Sequence, residues 1–443
     1  MLKISPLFSD GAVLCRGKEI RVFGEAENGA RVHCELRDAK DGLLAGGEGT
    51  AWGGKFLILL PPQTAQTGCR LILTGGGESL CALDISIGEV YLAGGQSNME
   101  MELRDAAEGP SLIATHVNPM VRYFNVPKSG AFDRAREEAW ARAGWQAIGP
   151  GRGQDISAAA YFFAMKLQRK LQVPVGIIDC CVGASSVTCW MDEDWLRRTG
   201  EGQRYLAEST DPDSLLRPAG LYATMVAPLS PLALTGILYY QGESDAFITD
   251  CYDVLLMSLI DRWRDAFRDE ELPFLFVQLP MWIEQGAEDS GKWAALRLCQ
   301  SRVRDRVRNT GMICLIDQGE FDNIHPANKR VVGERLYEAA RTLIYGERGE
   351  ASPRVTGKRI SGSMMTLRTD QMLTNRDGRE PALLELAGAD GVFVRARAMI
   401  EGPMLHLTAP GVEYPLHARY AWKDYAQVNL FGGNGLPLEP FAF

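Results

Sequence analysis

Histidine is scarce in this chain, with five in 443 residues, so a mechanism that needs an imidazole base has few places to find one. A basic block, a Cys-x-x-Cys pair and an apolar run of ~20 residues are also missing. Lys plus Arg number 47 against 56 Asp plus Glu, a formal charge of -9. That balance argues against a protein that tracks nucleic-acid phosphates, so no nucleic-acid partner is expected. Without a long apolar run no bilayer-spanning helix is expected, hence no membrane partner. The start, Met1 to Pro6, lacks the apolar core of a signal peptide and reads as cytoplasmic. In that compartment the ten cysteines are expected to be buried thiols. No HExxH, Cys/His cluster or EF-hand spacing is present, and no GxGxxG follows a strand, so neither a metal nor any other cofactor is expected. Gly49 to Lys55 has P-loop spacing, but Phe56 replaces the Ser/Thr that would hold magnesium, and a hairpin turn is expected there. No repeat of 20 to 50 residues is found.

What the chain does have is ordinary globular composition, 46% apolar and 23% charged, over a length suited to two or three domains. Short β-branched and aromatic runs (Ile20 to Phe23, Arg31 to Leu36, Phe56 to Leu60, Arg70 to Leu73) predict an N-terminal β-sandwich over 1–88. Compact apolar runs (Val90 to Ala93, Val175 to Ile178, Ile237 to Tyr240, Phe274 to Leu279, Met312 to Ile316) then alternate with helical stretches such as Ala158 to Leu171 and Lys329 to Leu343. This is a βαβ rhythm, predicting a mostly parallel α/β sheet with helices on both faces over 89–348. Alternating patterns return in Gly391 to Ala398 and Pro403 to Thr408, so 349–443 reads as a C-terminal β region packing on the middle domain.

Open α/β sheets bind ligands beyond the carboxyl ends of their strands, which directs attention to the residues that follow each run. These are Gly94-Gly95-Gln96-Ser97-Asn98-Met99, Asp179 to Ser185, Gln241-Gly242-Glu243-Ser244-Asp245 and, across a short loop, Asp322-Asn323-Ile324-His325-Pro326. Of the five histidines only His325 follows a carboxylate, Asp322, by three residues at the end of a predicted parallel strand. A carboxylate that accepts the Nδ1 proton leaves Nε2 to take a proton from a hydroxyl. A loop Asp capping the next helix gives the same spacing. Ser97 suits either a nucleophile or a helix N-cap, and Met99 argues against the GxSxG elbow of α/β-hydrolases. Glycine before Ser97 fits a close approach of substrate to backbone or plain turn geometry.

Together these stretches resemble the GDSL/SGNH hydrolases, and specifically the sialate O-acetylesterase-like group of carbohydrate esterases. Gly95 to Met99 is similar to the nucleophile block, Tyr240 to Asp245 to the third block, and Asp322 to Lys329 to the Asp-x-x-His-Pro block. Val173 to Ile178, Leu221 to Leu229 and the tail from Tyr420 to Pro437 resemble the group as well, so the likeness covers nearly the whole chain. It implies an SGNH-hydrolase-like three-layer α/β/α parallel sheet flanked by N- and C-terminal β domains. It also implies a serine esterase that needs no cofactor and removes O-acetyl groups from sugars, most of all sialic acids. Ser97 would be the nucleophile, His325 the base and then acid, and Asp322 its orienting carboxylate. The Ser97 N–H, an N–H of Gly183 or Ala184 and the Gln241 amide would form the oxyanion hole.

The chain departs from the group in three places. Gly183-Ala184-Ser185 stands where two glycines and Thr or Ser are common, Ala223 replaces an asparagine, and the final residues lack an expected arginine. For the acetylated sugar or oligosaccharide, Gln96, Asn98, Glu243, Trp190 and Trp282 are candidate contacts, the two tryptophans as stacking faces or as core packing. A sialic acid carboxylate would call for an arginine such as Arg297 or Arg152. Hemicellulose or another acetylated glycan is the rival substrate, and a carbohydrate-binding protein with a decayed site the rival class. A homo-oligomer is left open.

Overall fold

The computed structural model describes residues 1–208 and 214–443 and is a mixed α/β protein. It divides into two compact units: Met1–Tyr240 with Met257–Phe274 and Ala327–Tyr337, and Gln241–Leu256 with Leu275–Pro326 and Glu338–Phe443.

In the first unit the organising element is one long strand, Glu78–Gly95. Its first residues, Glu78 to Asp84, are mostly exposed with Ala82 alone buried, while from Ile85 onward every residue is buried. The change follows from its neighbours. Near its start the strand pairs antiparallel with Gln66–Gly75, leaving one face to solvent. Further on it lies between the parallel strands Val175–Cys181 and Gly236–Tyr240, both almost wholly buried. Parallel strands covered on both faces need near-continuous apolar sequence, which is why these runs do not alternate. Asn118–Asn125 continues the sheet parallel to Val175–Cys181, and Trp145–Ile148 closes that side antiparallel.

Register sets what comes next. Cys181 and Tyr240 both lie opposite Gly95, so the three strands end level and their following segments leave from one edge. Gly95 has φ +131°, and a Cβ there would sit 2.1 Å from the Tyr240 carbonyl oxygen. Strand packing, which was neither of the two readings open for this glycine, accounts for it: its bare Cα lets the neighbouring strand approach.

The helix Ala158–Leu171 is capped by Ser157, whose Oγ accepts the Ala160 N–H (3.2 Å), and it buries Ala158 to Ala164 and Leu167. The expected helix from Lys329 starts one residue later, as Arg330–Leu343. Gly49 to Lys55 joins the strands Leu43–Thr50 and Lys55–Leu60, with a bridge between Trp52 and Lys55.

The strand Phe274–Gln278, which lies in the second unit from Leu275 on, neighbours Thr310–Cys314, with the helix Lys292–Arg306 between them in sequence. Cys314 and Ile316 share an apolar core with Met365, Leu367, Leu384, Leu405 and Tyr420 from the C-terminal strands. Among the described residues the ten cysteines form no disulfide and all but Cys81 are buried. No helix among them is long and apolar enough to cross a membrane.

Candidate active site

The first unit brings together Ser97, its flanking residues and the turn after Val175–Cys181. Ser97 opens the short helix Ser97–Glu100, which leaves the sheet directly after Gly95; Met101 N–H donates to the Ser97 carbonyl (2.8 Å) and Glu100 N–H to the Gln96 carbonyl (2.9 Å). Ser97 is half-buried, whereas Gln96 and Asn98 are buried. The neighbouring turn is anchored by the Val182 N–H, which donates to the Gly95 carbonyl (3.1 Å), and closed by Ser185 Oγ, which donates to the Val182 carbonyl (2.7 Å). Ala184 has φ +59°, a left-handed conformation that costs an alanine about 1 kcal/mol and that a second glycine would adopt freely. Gly183 lies against the serine: a Cβ added to it would be 3.6 Å from Ser97 Cβ.

Two sequence-level assignments change here. Trp190 is fully buried, its indole N–H donating to Ser185 Oγ (3.0 Å) and its carbonyl accepting from Trp263 Nε1 (2.9 Å). No ring face is open to a sugar, and of its two readings the core one holds. Asn98 is fully buried as well, and its Oδ1 accepts from Lys329 Nζ, so it braces the turn from inside instead of facing a ligand. Lys329 was visible in the sequence only as the end of the Asp-x-x-His-Pro stretch.

Asp179, half-buried near the end of Val175–Cys181, was not singled out for a role. Burial pushes its carboxyl up to about 6, although the Ser157 N–H (2.7 Å), Cys181 and Lys128 pull the other way. Because the folded value lies above the ordinary 3.8, the folded state holds this proton more tightly than the unfolded chain. Ionising it as pH rises from about 4 to about 6 therefore costs stability, on the order of 3 kcal/mol at neutral pH. Asp179→Asn keeps an acceptor for Ser157 and cannot ionise. Thermal melts between about pH 4 and about pH 7 should show the wild type losing stability with rising pH relative to the variant; parallel profiles would assign the titration elsewhere.

The second unit holds the other candidates. Gln241 is buried, and its amide is clamped at both ends: Nε2 donates to Asp245 Oδ2 (2.5 Å) while Oε1 accepts from the Tyr252 hydroxyl (2.9 Å). The Gln241 carbonyl accepts from Gln300 Nε2 (3.2 Å). Tyr252 and Gln300 carry no signal in the sequence, whereas Asp245 sits in the same motif as Gln241. Glu243 is buried at the start of the following 3-10 turn.

Asp322 and His325 lie in an exposed loop held by local bonds. Asp322 takes φ +56°, its N–H donates to the Ile283 carbonyl (3.0 Å), and its Oδ1 accepts from the Gln285 N–H (2.8 Å). His325 N–H donates to Asn323 Oδ1 (3.0 Å), and Asn323 Nδ2 to Glu320 Oε2 (2.7 Å). Trp282, next to Ile283, is half-buried with its ring 5.0 Å from that of Trp293, and its buried indole N–H has no hydrogen-bond partner among the described residues.

Arg297 is removed from the search for a substrate cation. It is fully buried, and its guanidinium donates to the carbonyls of Pro280, Ala421, Lys423 and Asp424, with burial pushing its pKa down to about 10. Arg152 is exposed.

The family model for carbohydrate esterases described as sialic acid-specific acetylesterases matches residues 87–342. Sialate O-acetylesterase of Homo sapiens is 28% identical over 361 residues, covering 74% of this chain and 68% of that protein. The Mus musculus protein of the same name is 26% identical over 344 residues, covering 65% and 63%. A crystal structure of a carbohydrate acetylesterase from Xanthomonas citri is 31% identical and superimposes with a TM-score of 0.88, covering 100% of this chain and 99% of that one.

Proposed function

This chain belongs to the carbohydrate esterase family of sialic acid-specific acetylesterases and is a carboxylic ester hydrolase, and on that premise we propose that it removes O-acetyl groups from sialic acids through an acetyl-enzyme on Ser97. The observation that carries the reading is the span of the family match, 87–342, which includes every candidate catalytic residue. In the same reading 89–348 is an SGNH-type three-layer catalytic domain, with 1–88 and 349–443 as its flanking β regions.

The chemistry follows from the residue types. His325 Nε2 takes the Ser97 hydroxyl proton as Oγ attacks the acetyl carbon, and Asp322 stabilises the imidazolium that forms. Negative charge then develops on the carbonyl oxygen. In this reading the Ser97 N–H, an N–H at Gly183 or Ala184 and Gln241 Nε2 donate to that oxygen and lower the barrier. The carbon–oxygen bond to the sugar breaks, His325 returns the proton to the departing sugar hydroxyl, and Ser97 carries the acetyl group. Water, deprotonated by His325, attacks the acetyl-enzyme; collapse releases acetate and restores Ser97.

A broader glycan substrate is the second reading. It is favoured by the full-length similarity to a protein described only as a carbohydrate acetylesterase. Acetate release from O-acetylated sialic acid and from acetylated xylo-oligosaccharide, measured side by side, separates the two. A kcat/KM at least tenfold higher on the sialic acid is the expected result. Equal or reversed values would move the assignment to acetylated glycans in general, and no acetate from either would overturn the esterase reading for sugars.

A further inference from the structure

Beside the Ser97 turn lies a charged pair that the chemistry above does not use. Glu100 ends the short helix Ser97–Glu100, and Lys128 follows the strand Asn118–Asn125. Lys128 Nζ donates to Glu100 Oε1, with the two side chains 47% and 25% exposed. Burial pulls the lysine down, yet the bond and charge of Glu100, with Asp179 behind, more than offset this and hold it above its ordinary range. Lys128 therefore keeps its positive charge at neutral pH.

Only one oxygen of Glu100 is taken. Among the described residues Oε2 accepts no hydrogen bond; it lies 2.9 Å from where a Cβ on Gly183 would be, and that same point is 3.6 Å from Ser97 Cβ. Nucleophile and carboxylate thus flank a single glycine whose missing side chain keeps the gap between them open. A charged acceptor in such a place forms stronger hydrogen bonds than a neutral one.

We propose that Glu100 Oε2 accepts a hydrogen bond from a free hydroxyl of the sugar next to the acetyl ester, and that Lys128 is a positioning residue that holds that side chain in place by its bond to Oε1. The proposal rests on Ser97 as nucleophile and adds the chemical class of what lies beside it: a polyol with a hydroxyl near the ester. A carboxylate substituent pointing the same way would be repelled, so an acidic sugar must bind with its own carboxylate turned from this lip.

The test uses a monoacetylated methyl glycoside with a free hydroxyl beside the ester, and its deoxy analogue lacking that hydroxyl. Wild type is expected to prefer the hydroxyl-bearing ester at least tenfold in kcat/KM, mostly through KM. In Glu100→Ala, and in the near-isosteric Glu100→Gln should the first fold poorly, the preference should shrink at least fivefold. Lys128→Ala should reduce it in part and Lys128→Arg restore it, a rescue that a merely structural role would not give. A wild type that does not discriminate, or Glu100 variants that lose both substrates equally, would overturn the proposal. Ser97→Ala, run alongside, keeps the two levels apart. If it hydrolyses both esters as well as wild type, the nucleophile assignment falls and this inference with it. If it is inactive while Glu100 variants keep the preference, only this inference falls.

Discussion

Replacing Ser97 by alanine is expected to lower kcat for acetate release by ~10⁴-fold or more, because a triad without its nucleophile retains only what binding and the oxyanion donors supply. The backbone that shapes the turn is untouched by the change. Gly95 still packs against Tyr240, Val182 N–H still donates to the Gly95 carbonyl, and Met101 N–H still donates to residue 97. The melting temperature should therefore stay within a few degrees of wild type. Steady-state acetate release and a thermal melt on the same preparation measure both. A loss under tenfold in a well-folded variant would mean that another hydroxyl, such as that of Ser185 or Ser244, attacks. Ser185 is a poor rival on structural grounds, being fully buried with its Oγ engaged by Val182 and Trp190.

Gln241→Ala carries the second largest expected effect, a loss of ~10²–10³ in kcat, equivalent to about 3 to 4 kcal/mol of transition-state stabilisation. The group removed is one whose orientation the protein has already set. Asp245 and Tyr252 hold its two ends, so the amide need not turn as charge builds on the substrate. KM should change less than kcat, since the donor is worth most once the oxyanion exists. Tyr252→Phe keeps the amide but frees its oxygen end, and a smaller loss of about tenfold is expected from the blurred orientation. Removing the Gln241 side chain also takes a hydrogen bond from the buried Asp245 and from Tyr252, a stability cost of about 1–3 kcal/mol, so rates must be compared well below the melting temperature. Equal rates for wild type and Gln241→Ala would take this amide out of the oxyanion hole.

Where the sequence was informative it worked through local pattern. The runs at Val90, Val175 and Ile237 announced buried parallel strands because two covered faces leave no place for polar residues. The helix from Arg330 was visible in its apolar spacing, and the tight turn at Gly53 and Gly54 in Phe56, which stands where a magnesium-holding Ser or Thr would be. Scarcity of histidine left His325 as the candidate for the base of the proposed mechanism. Each of these rests on residues close together in the chain, where spacing alone carries the geometry.

Aromatic residues show where that reasoning stops. Trp190 and Trp282 looked alike in sequence, each near a motif, yet one is sealed by Ser185 and Trp263 while the other is half-buried with an unmatched indole N–H. Arg297 looked available for a carboxylate and is instead spent on four carbonyls, three of them more than 120 positions away in the chain. Whether a polar group is open to a ligand or consumed by the protein depends on partners distant in sequence, and spacing has no access to them.

What the sequence by itself determined was the order of elements, the family and the types of residue able to carry an acyl transfer, since periodicity and short motifs are local properties of the chain. Only the tertiary structure decided that Gly95 must be glycine, because a strand more than 140 residues later passes 2.1 Å from its missing Cβ. It alone decided that Asp179 is buried into a high pKa, that Asn98 faces a lysine, and that Glu100 and Lys128 meet beside the serine. Those are consequences of close packing and desolvation, which exist only once distant segments have excluded water from one another.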